Sequence, residues 1–194
     1  MEKAKVVYVA RNPMDAMISY YHHHKLFRGH NYCGDLPTFV ERKIFLSNYY
    51  SQTEQFCSRR FMKSQLMYDP YFEHLKQAWN VKDHKNVLFI YFEEMKNDMD
   101  SVIGRVCKFL DVELSKEKVE QLKEHLDFKN FKNNPAVNNE IWKSFGLANQ
   151  EGNFIRKGQV GGWKKELEDH PQLRDSLLEW VENSCAKYNI TFPH

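Results

Sequence analysis

The chain has 194 residues, of which 42% are hydrophobic and 28% charged. That length suits one core-forming domain or two small ones, and the composition disfavours disorder. The 28 Lys and Arg against 26 Asp and Glu leave a net charge of +2. Bulk charge therefore gives no reason to expect a nucleic-acid or membrane-surface partner.

Lys5-Val6-Val7-Tyr8-Val9-Ala10 is a short β-rich apolar run, read as a strand buried on both faces. It stops at Arg11-Asn12-Pro13. Asn is a good helix N-cap and Pro is favoured at the first helical position, so a helix is expected from Pro13 to about Leu26. Two glycines make residues 28–36 a loop. Pro37 opens a second helix, with Phe39, Val40, Phe45 and Leu46 as core contacts. Asp69-Pro70 repeats the signal and starts a helix through Trp79. Residues 86–91 form the second buried strand. A helix follows whose Met99, Val102, Ile103, Val106, Phe109 and Leu110 recur at spacings of three and four. Ser115 caps another helix carrying Val119, Leu122 and Leu126. Residues 128–162 read as irregular, and the final helix presents Leu173, Leu177, Trp180, Val181, Ser184 and Tyr188 on one face. Strands alternating with helices predict an α/β fold with parallel strands. Two parallel strands need neighbours to make a stable sheet, and no further strand is evident in this chain.

The four cysteines, Cys33, Cys57, Cys107 and Cys185, are scattered, with no C-x-x-C pair. Free thiols and a reducing compartment are expected, without a zinc or redox motif. The longest apolar run, residues 87–92, is far too short to span a membrane. No apolar leader follows Met1, so no signal peptide is expected.

Two segments could carry chemistry. In the first, a strand ending at Arg11 feeds a helix N-terminus. Its N–H groups and dipole favour an anion there, and the guanidinium fork suits two phosphate oxygens. Asn12, Asp15 and Ser19 recur at three and four, which brings Ser19 onto the face that starts at the cap. The competing explanation is an Arg11–Asp15 ion pair and a serine bonded to its own helix. In the second, four of the eight glycines lie between Gly152 and Gly162, among Arg156-Lys157 and Lys164-Lys165. Glycine lets the backbone approach a ligand, and successive N–H groups can form an anion nest, although the G-x-x-x-x-G-K-[ST] order of a Walker loop is absent. The competing explanation there is a basic surface turn. His22-His23-His24 point about 100° apart on a helix and cannot share a metal, so no metal site is expected. The aromatic content, at 14%, could stack on nucleic acid, but Trp79, Phe109 and Trp180 fall on apolar faces and are better explained by packing.

At these residues the chain resembles cytosolic sulfotransferases that use 3′-phosphoadenylyl sulfate (PAPS). Tyr8-Val9-Ala10-Arg11-Asn12-Pro13-Met14-Asp15 through Ser19-Tyr20-Tyr21-His22 resembles the family's 3′-phosphate-binding segment. Phe154-Ile155-Arg156-Lys157-Gly158-Gln159-Val160-Gly161-Gly162-Trp163-Lys164 resembles its C-terminal signature. Tyr91-Phe92-Glu93-Glu94-Met95-Lys96, and Phe128-Lys129 through Asn133-Asn134-Pro135, match between them in order. The resemblance implies a P-loop-NTPase-like sulfotransferase fold, α/β with a parallel sheet flanked by helices, here incomplete. It implies that Arg11, Ser19, Arg156, Lys157 and Gly158 bind the 3′-phosphate, with Phe92, Phe128, Phe154 and Ile155 around the nucleotide. PAPS would be the cosubstrate and adenosine 3′,5′-bisphosphate the product. The reaction implied is in-line transfer of a sulfuryl group to a hydroxyl or amine of a small acceptor, such as a phenol or steroid, with no metal and no nucleic-acid or membrane partner. Positioning and charge stabilisation would carry most of such catalysis. The acceptor itself is not readable; residues 25–36 and 140–151 are the candidate acceptor loops.

The chain departs from the family pattern in several places. Phe92 stands where a tyrosine is usual, Leu126 where a threonine is often seen, and Gly162 where an aspartate is expected. The family's dimerisation motif is not recognisable in residues 166–173, which leaves the oligomeric state open. The family's 5′-phosphosulfate loop and its histidine base lie before the segment that Met1 matches. Residues 1–194 are therefore expected to be the C-terminal part of a sulfotransferase domain, cytoplasmic, with no catalytic residue of their own and inactive alone. The alternative is a remnant that binds nucleotide or a partner without catalysis.

Overall fold

The computed structural model describes residues 4–30, 32–45 and 71–193. Strands β1 (Val6–Ala10) and β2 (Val87–Tyr91) pair in parallel, with Val6 opposite Val87 and Ala10 opposite Tyr91. Parallel pairing brings both carboxyl ends to one edge, where open α/β sheets bind ligands. The register decides what meets there. Arg11 follows Ala10 and Phe92 follows Tyr91, so these two residues leave the sheet side by side.

Helix α1 (Pro13–Leu26) begins as its sequence predicts. The Asn12 side chain accepts the Met14 N–H at 2.9 Å, and Pro13 occupies the first turn. Met14, Met17, Ile18 and Tyr21 of α1 are buried against Leu36, Phe39 and Val40 of α2 (Leu36–Phe45) and Leu177 of the C-terminal helix. Helix α3 (Tyr71–Trp79) buries Phe72 and Leu75 in a second cluster with Ala10 and Ile190. The expected contacts of Phe45 and Leu46, the Asp69-Pro70 helix start and Cys57 lie outside the described residues. Among the described cysteines, Cys33, Cys107 and Cys185 are free thiols.

After β2 come α4 (Phe92–Asn97), α5 (Met99–Leu110) and α6 (Lys116–Leu126). Asp98 caps α5 through the Ser101 N–H, and Ser115 caps α6 through that of Lys118. The stretch expected to be irregular holds two short helices, α7 (Phe128–Asn133) and α8 (Ile141–Ser144). Asp127 caps α7 at the Lys129 N–H, a local signal that a search for apolar periodicity passes over. Helix α9 (Trp163–Glu166) closes the glycine-rich segment. The C-terminal helix α10 (Pro171–Tyr188) ends at Asn189, whose φ of 51° stops it in a left-handed cap.

Two expectations are corrected. Strand β1 is not buried on both faces: Val6, Val7 and Val9 are 39%, 41% and 48% exposed. The physical reason is the sheet itself. Side chains alternate along the strand, so Val7 and Val9 lie on the face opposite Ala10 and Val6 on Ala10's own face, and exposure reaches both faces of β1, whose only strand neighbour among the described residues is β2. In α5, Val102 and Ile103 are buried but Leu110 is 44% exposed, because the helix runs past the core before its Asp111 cap.

Candidate functional site

The carboxyl edge of the sheet opens into a cleft of about 170 Å³. Arg11, Ser19, Phe92, Phe154, Ile155, Arg156, Lys157 and Gly158 all line it. Eight of the nine residues singled out in the sequence thus converge, across more than 140 residues of chain. The ninth, Phe128, lies immediately behind Gly158: a Cβ built on that glycine would stand 2.5 Å from the phenyl ring. Gly158 also has φ of +58°, where a side chain is strained. Only glycine permits this approach of ring to backbone.

Arg11 is held from three sides. Its Nη2 donates to the Gln159 carbonyl at 3.0 Å. Its guanidinium lies 4.7 Å from the centroid of the Phe92 ring. Tyr71 donates its hydroxyl hydrogen bond to the Arg11 carbonyl. Burial lowers the pKa of Arg11, an effect opposed by the charges of Asp15 and Glu93. Among the described residues the buried Nε of Arg11 and Oε2 of Glu93 find no hydrogen-bond partner. Such orphaned polar atoms are costly in a finished core and expected where a polar ligand belongs. Lys96 extends the cationic wall, with Nζ 5.7 Å from the Phe92 ring centroid and 5.9 Å from that of Phe128.

The competing explanation, an Arg11–Asp15 ion pair, is not what the described residues show. The Oδ2 of Asp15 accepts the Gly161 N–H at 2.6 Å and its Oδ1 the Trp163 N–H at 3.0 Å. At 3% exposure it is among the few buried charged groups, and it ties the glycine segment to the first turn of α1. A carboxylate accepting two backbone N–H groups is a strong, geometrically demanding clamp. Glu93 plays a matching part beneath β2, where its Oε1 accepts the Asn12 N–H at 2.8 Å. Sequence reading missed both roles. An acidic residue in a first helical turn already has a local explanation in the helix dipole, and nothing local announces a partner 146 residues away.

Glu166 is the third acidic residue whose role the sequence did not show. Its Oε1 takes Arg156 at 2.8 Å and Lys157 at 2.9 Å, and its Oε2 faces His22 Nε2 at 3.3 Å. Burial resists its ionisation, but the hydrogen bonds from Lys157 and Arg156 outweigh burial and hold its pKa down to about 2. His22 is pushed down, first by burial and then by Arg156. Ser19 is exposed on the α1 face toward the cleft. His23 packs among Phe27, His30 and Phe154. Among the described residues no group of three or more His, Cys, Asp or Glu could hold a metal ion, and no helix is long and apolar enough to cross a membrane.

A parallel βα edge, a cationic cleft and a clamped glycine segment in an α/β domain are chemistry that suits an anion. The family model of the sulfotransferase domain matches residues 1–188, and the chain belongs to that family. It is 34% identical over 188 residues to luciferin sulfotransferase of Photinus pyralis, covering 95% of this chain and 45% of that protein. It is 27% identical over 186 residues to sulfotransferase 1 family member D1 of Rattus norvegicus, covering 95% and 57%. Among solved structures it is similar to retinol dehydratase in complex with androsterone and the inactive cofactor PAP, with a TM-score of 0.81, 30% identity and coverage of 99% and 50%. Mouse sulfotransferase SULT7A1 complexed with PAP shares the fold, at a TM-score of 0.70 and 24% identity over 94% and 58%. The fold is thus the α/β sulfotransferase fold, and the chain spans about half the length of the relatives it matches.

Proposed function

We propose that this chain carries the 3′-phosphate side of a PAPS site, in a domain whose whole reaction transfers a sulfuryl group to a hydroxyl or amine of a small acceptor. The observation that carries the reading is the convergence of Arg11, Ser19, Arg156, Lys157 and Gly158 on one cleft. Phosphate recognition calls for such a set: fixed guanidinium forks, a hydroxyl donor and a glycine whose backbone a ligand can approach. Phe92, Phe128, Phe154 and Ile155 supply the apolar surfaces that a purine and ribose would pack against. Retinol dehydratase, whose structure holds PAP, supports adenosine 3′,5′-bisphosphate as the nucleotide. Phe92 would stack on adenine without the hydroxyl hydrogen bond that a tyrosine would add.

Residues 1–194 alone are proposed to bind the nucleotide without turnover. His22 is engaged by Glu166 and His23 by its aromatic neighbours, so neither is offered as a general base. Calorimetry of the purified chain tests the reading. Adenosine 3′,5′-bisphosphate should bind, adenosine 5′-monophosphate should bind at least about tenfold more weakly, and Arg11→Ala should abolish the difference. Equal affinity for the two nucleotides would refute a 3′-phosphate site. Sulfate transfer from PAPS to a phenol or steroid by residues 1–194 would refute the proposed inactivity.

A further inference from the structure

Glu166 supplies a charge that the proposed phosphate site does not need. The cleft is lined by Arg11, Ser19, Arg156 and Lys157, but Glu166 is not among its lining residues. The carboxylate reaches Arg156 and Lys157 from outside the cleft, and both cations spend a hydrogen bond on the same oxygen. Glu166 itself is well anchored. It ends α9, whose first residue is clamped to Asp15, and it precedes Leu167, which is fully buried. The two cations, by contrast, stand on long side chains in an irregular segment.

We propose that Glu166 is a competing anion in cis: it draws on the two cations that the nucleotide's 3′-phosphate requires and so sets how tightly the nucleotide is held. The inference rests on the nucleotide-site reading above and makes Glu166 an affinity-setting residue rather than a catalytic one. Arg11, Arg156 and Lys157 bring three positive charges to the cleft. Glu166 neutralises one of them before any ligand arrives. An incoming phosphate must either pull Arg156 and Lys157 away from Glu166 or accept a carboxylate on their far side. Both routes cost affinity, because like charges sharing a cation repel and a partly buried carboxylate stripped of its donors is penalised. The charged groups facing Glu166 are Arg156 and Lys157 of the loop and His22 of α1. With the cations withdrawn, His22 is the remaining donor to the carboxylate.

The opposite role is equally concrete. Glu166 could preorganise Arg156 and Lys157, so that removing it weakens binding. Calorimetry of adenosine 3′,5′-bisphosphate binding to residues 1–194 and to Glu166→Gln separates the two. Competition predicts roughly fivefold tighter binding in the variant, in line with the release of two partly exposed ion pairs. Unchanged or weaker binding in a folded variant overturns the proposal while leaving the nucleotide site standing. Failure of both proteins to bind overturns the site reading and the proposal together. A second measurement needs no variant. Carboxyl-carbon NMR of Glu166 in the unsubstituted chain, titrated with acid at saturating nucleotide, should show its midpoint rising from about 2 toward the ordinary carboxylate range. A midpoint that does not move refutes the competition.

Discussion

Replacing Asp15 by Asn tests whether the glycine segment is held by the carboxylate clamp. Asp15 is buried and accepts two backbone N–H groups, from Gly161 and Trp163. An asparagine keeps one oxygen acceptor but turns an NH₂ donor toward the other N–H. One charge-assisted hydrogen bond is weakened, and one buried donor is left facing a donor. Hydrogen bonds to charged groups contribute about 1.5–3 kcal/mol, and an unsatisfied buried donor costs about 1–3 kcal/mol. The substitution should therefore cost about 3 kcal/mol. For a domain of this size each kcal/mol lowers the melting temperature by about 2–4 °C, so differential scanning calorimetry should show a drop of about 6–12 °C. Nucleotide affinity should fall in parallel, because Arg156, Lys157 and Gly158 precede the clamped residues in one segment. A drop of less than about 2 °C would refute the clamp.

The glycines provide a matched pair. Gly158→Ala places a methyl in a left-handed backbone against the Phe128 ring and should cost at least about 2 kcal/mol. Gly162→Ala, with φ of −61° and ordinary contact 3.8 Å from Asp15, should be neutral or stabilising by up to about 1 kcal/mol, and thermal melts of the two variants compare them directly. His23 is neutral down to about pH 4 in the fold because burial, then His30, disfavours its charged form, against an ordinary value of 6.5. The unfolded chain binds that proton first, so stability should fall as the pH drops from 6.5 to 4, and His23→Phe should flatten that part of the melting profile. Glu166 acts in a lower window. Its depressed pKa contributes stability above 4.5 that is lost as the pH falls through about 2, a slope that Glu166→Gln should remove in acid melts.

Local chemistry made much of the scaffold legible in the sequence. Asn12-Pro13 started α1, Ser115 started α6, and the β-rich runs 6–10 and 87–91 paired as parallel strands. Caps and apolar periodicity act over a few residues, and a single sequence displays them. The short helix α7 escaped because its stretch shows a cap without apolar periodicity, and the four-residue α8 because it has no side-chain cap at all. The cationic and glycine residues of the cleft were visible as two unusual segments, and the resemblance joined them into one phosphate site.

What the sequence by itself determined was therefore the kind of group present: forks, a hydroxyl and glycines beside a helix start. Tertiary structure decided which of them meet and what restrains them. The in-register pairing of Ala10 with Tyr91 set Arg11 over Phe92. The fold made Asp15 the clamp of Gly161 and Trp163, where the sequence had offered it as an alternative partner of Arg11, and gave Arg156 and Lys157 to Glu166. Burial and orientation settle such choices, because a carboxylate removed from water bonds the donors that the packing presents to it, however distant they are along the chain.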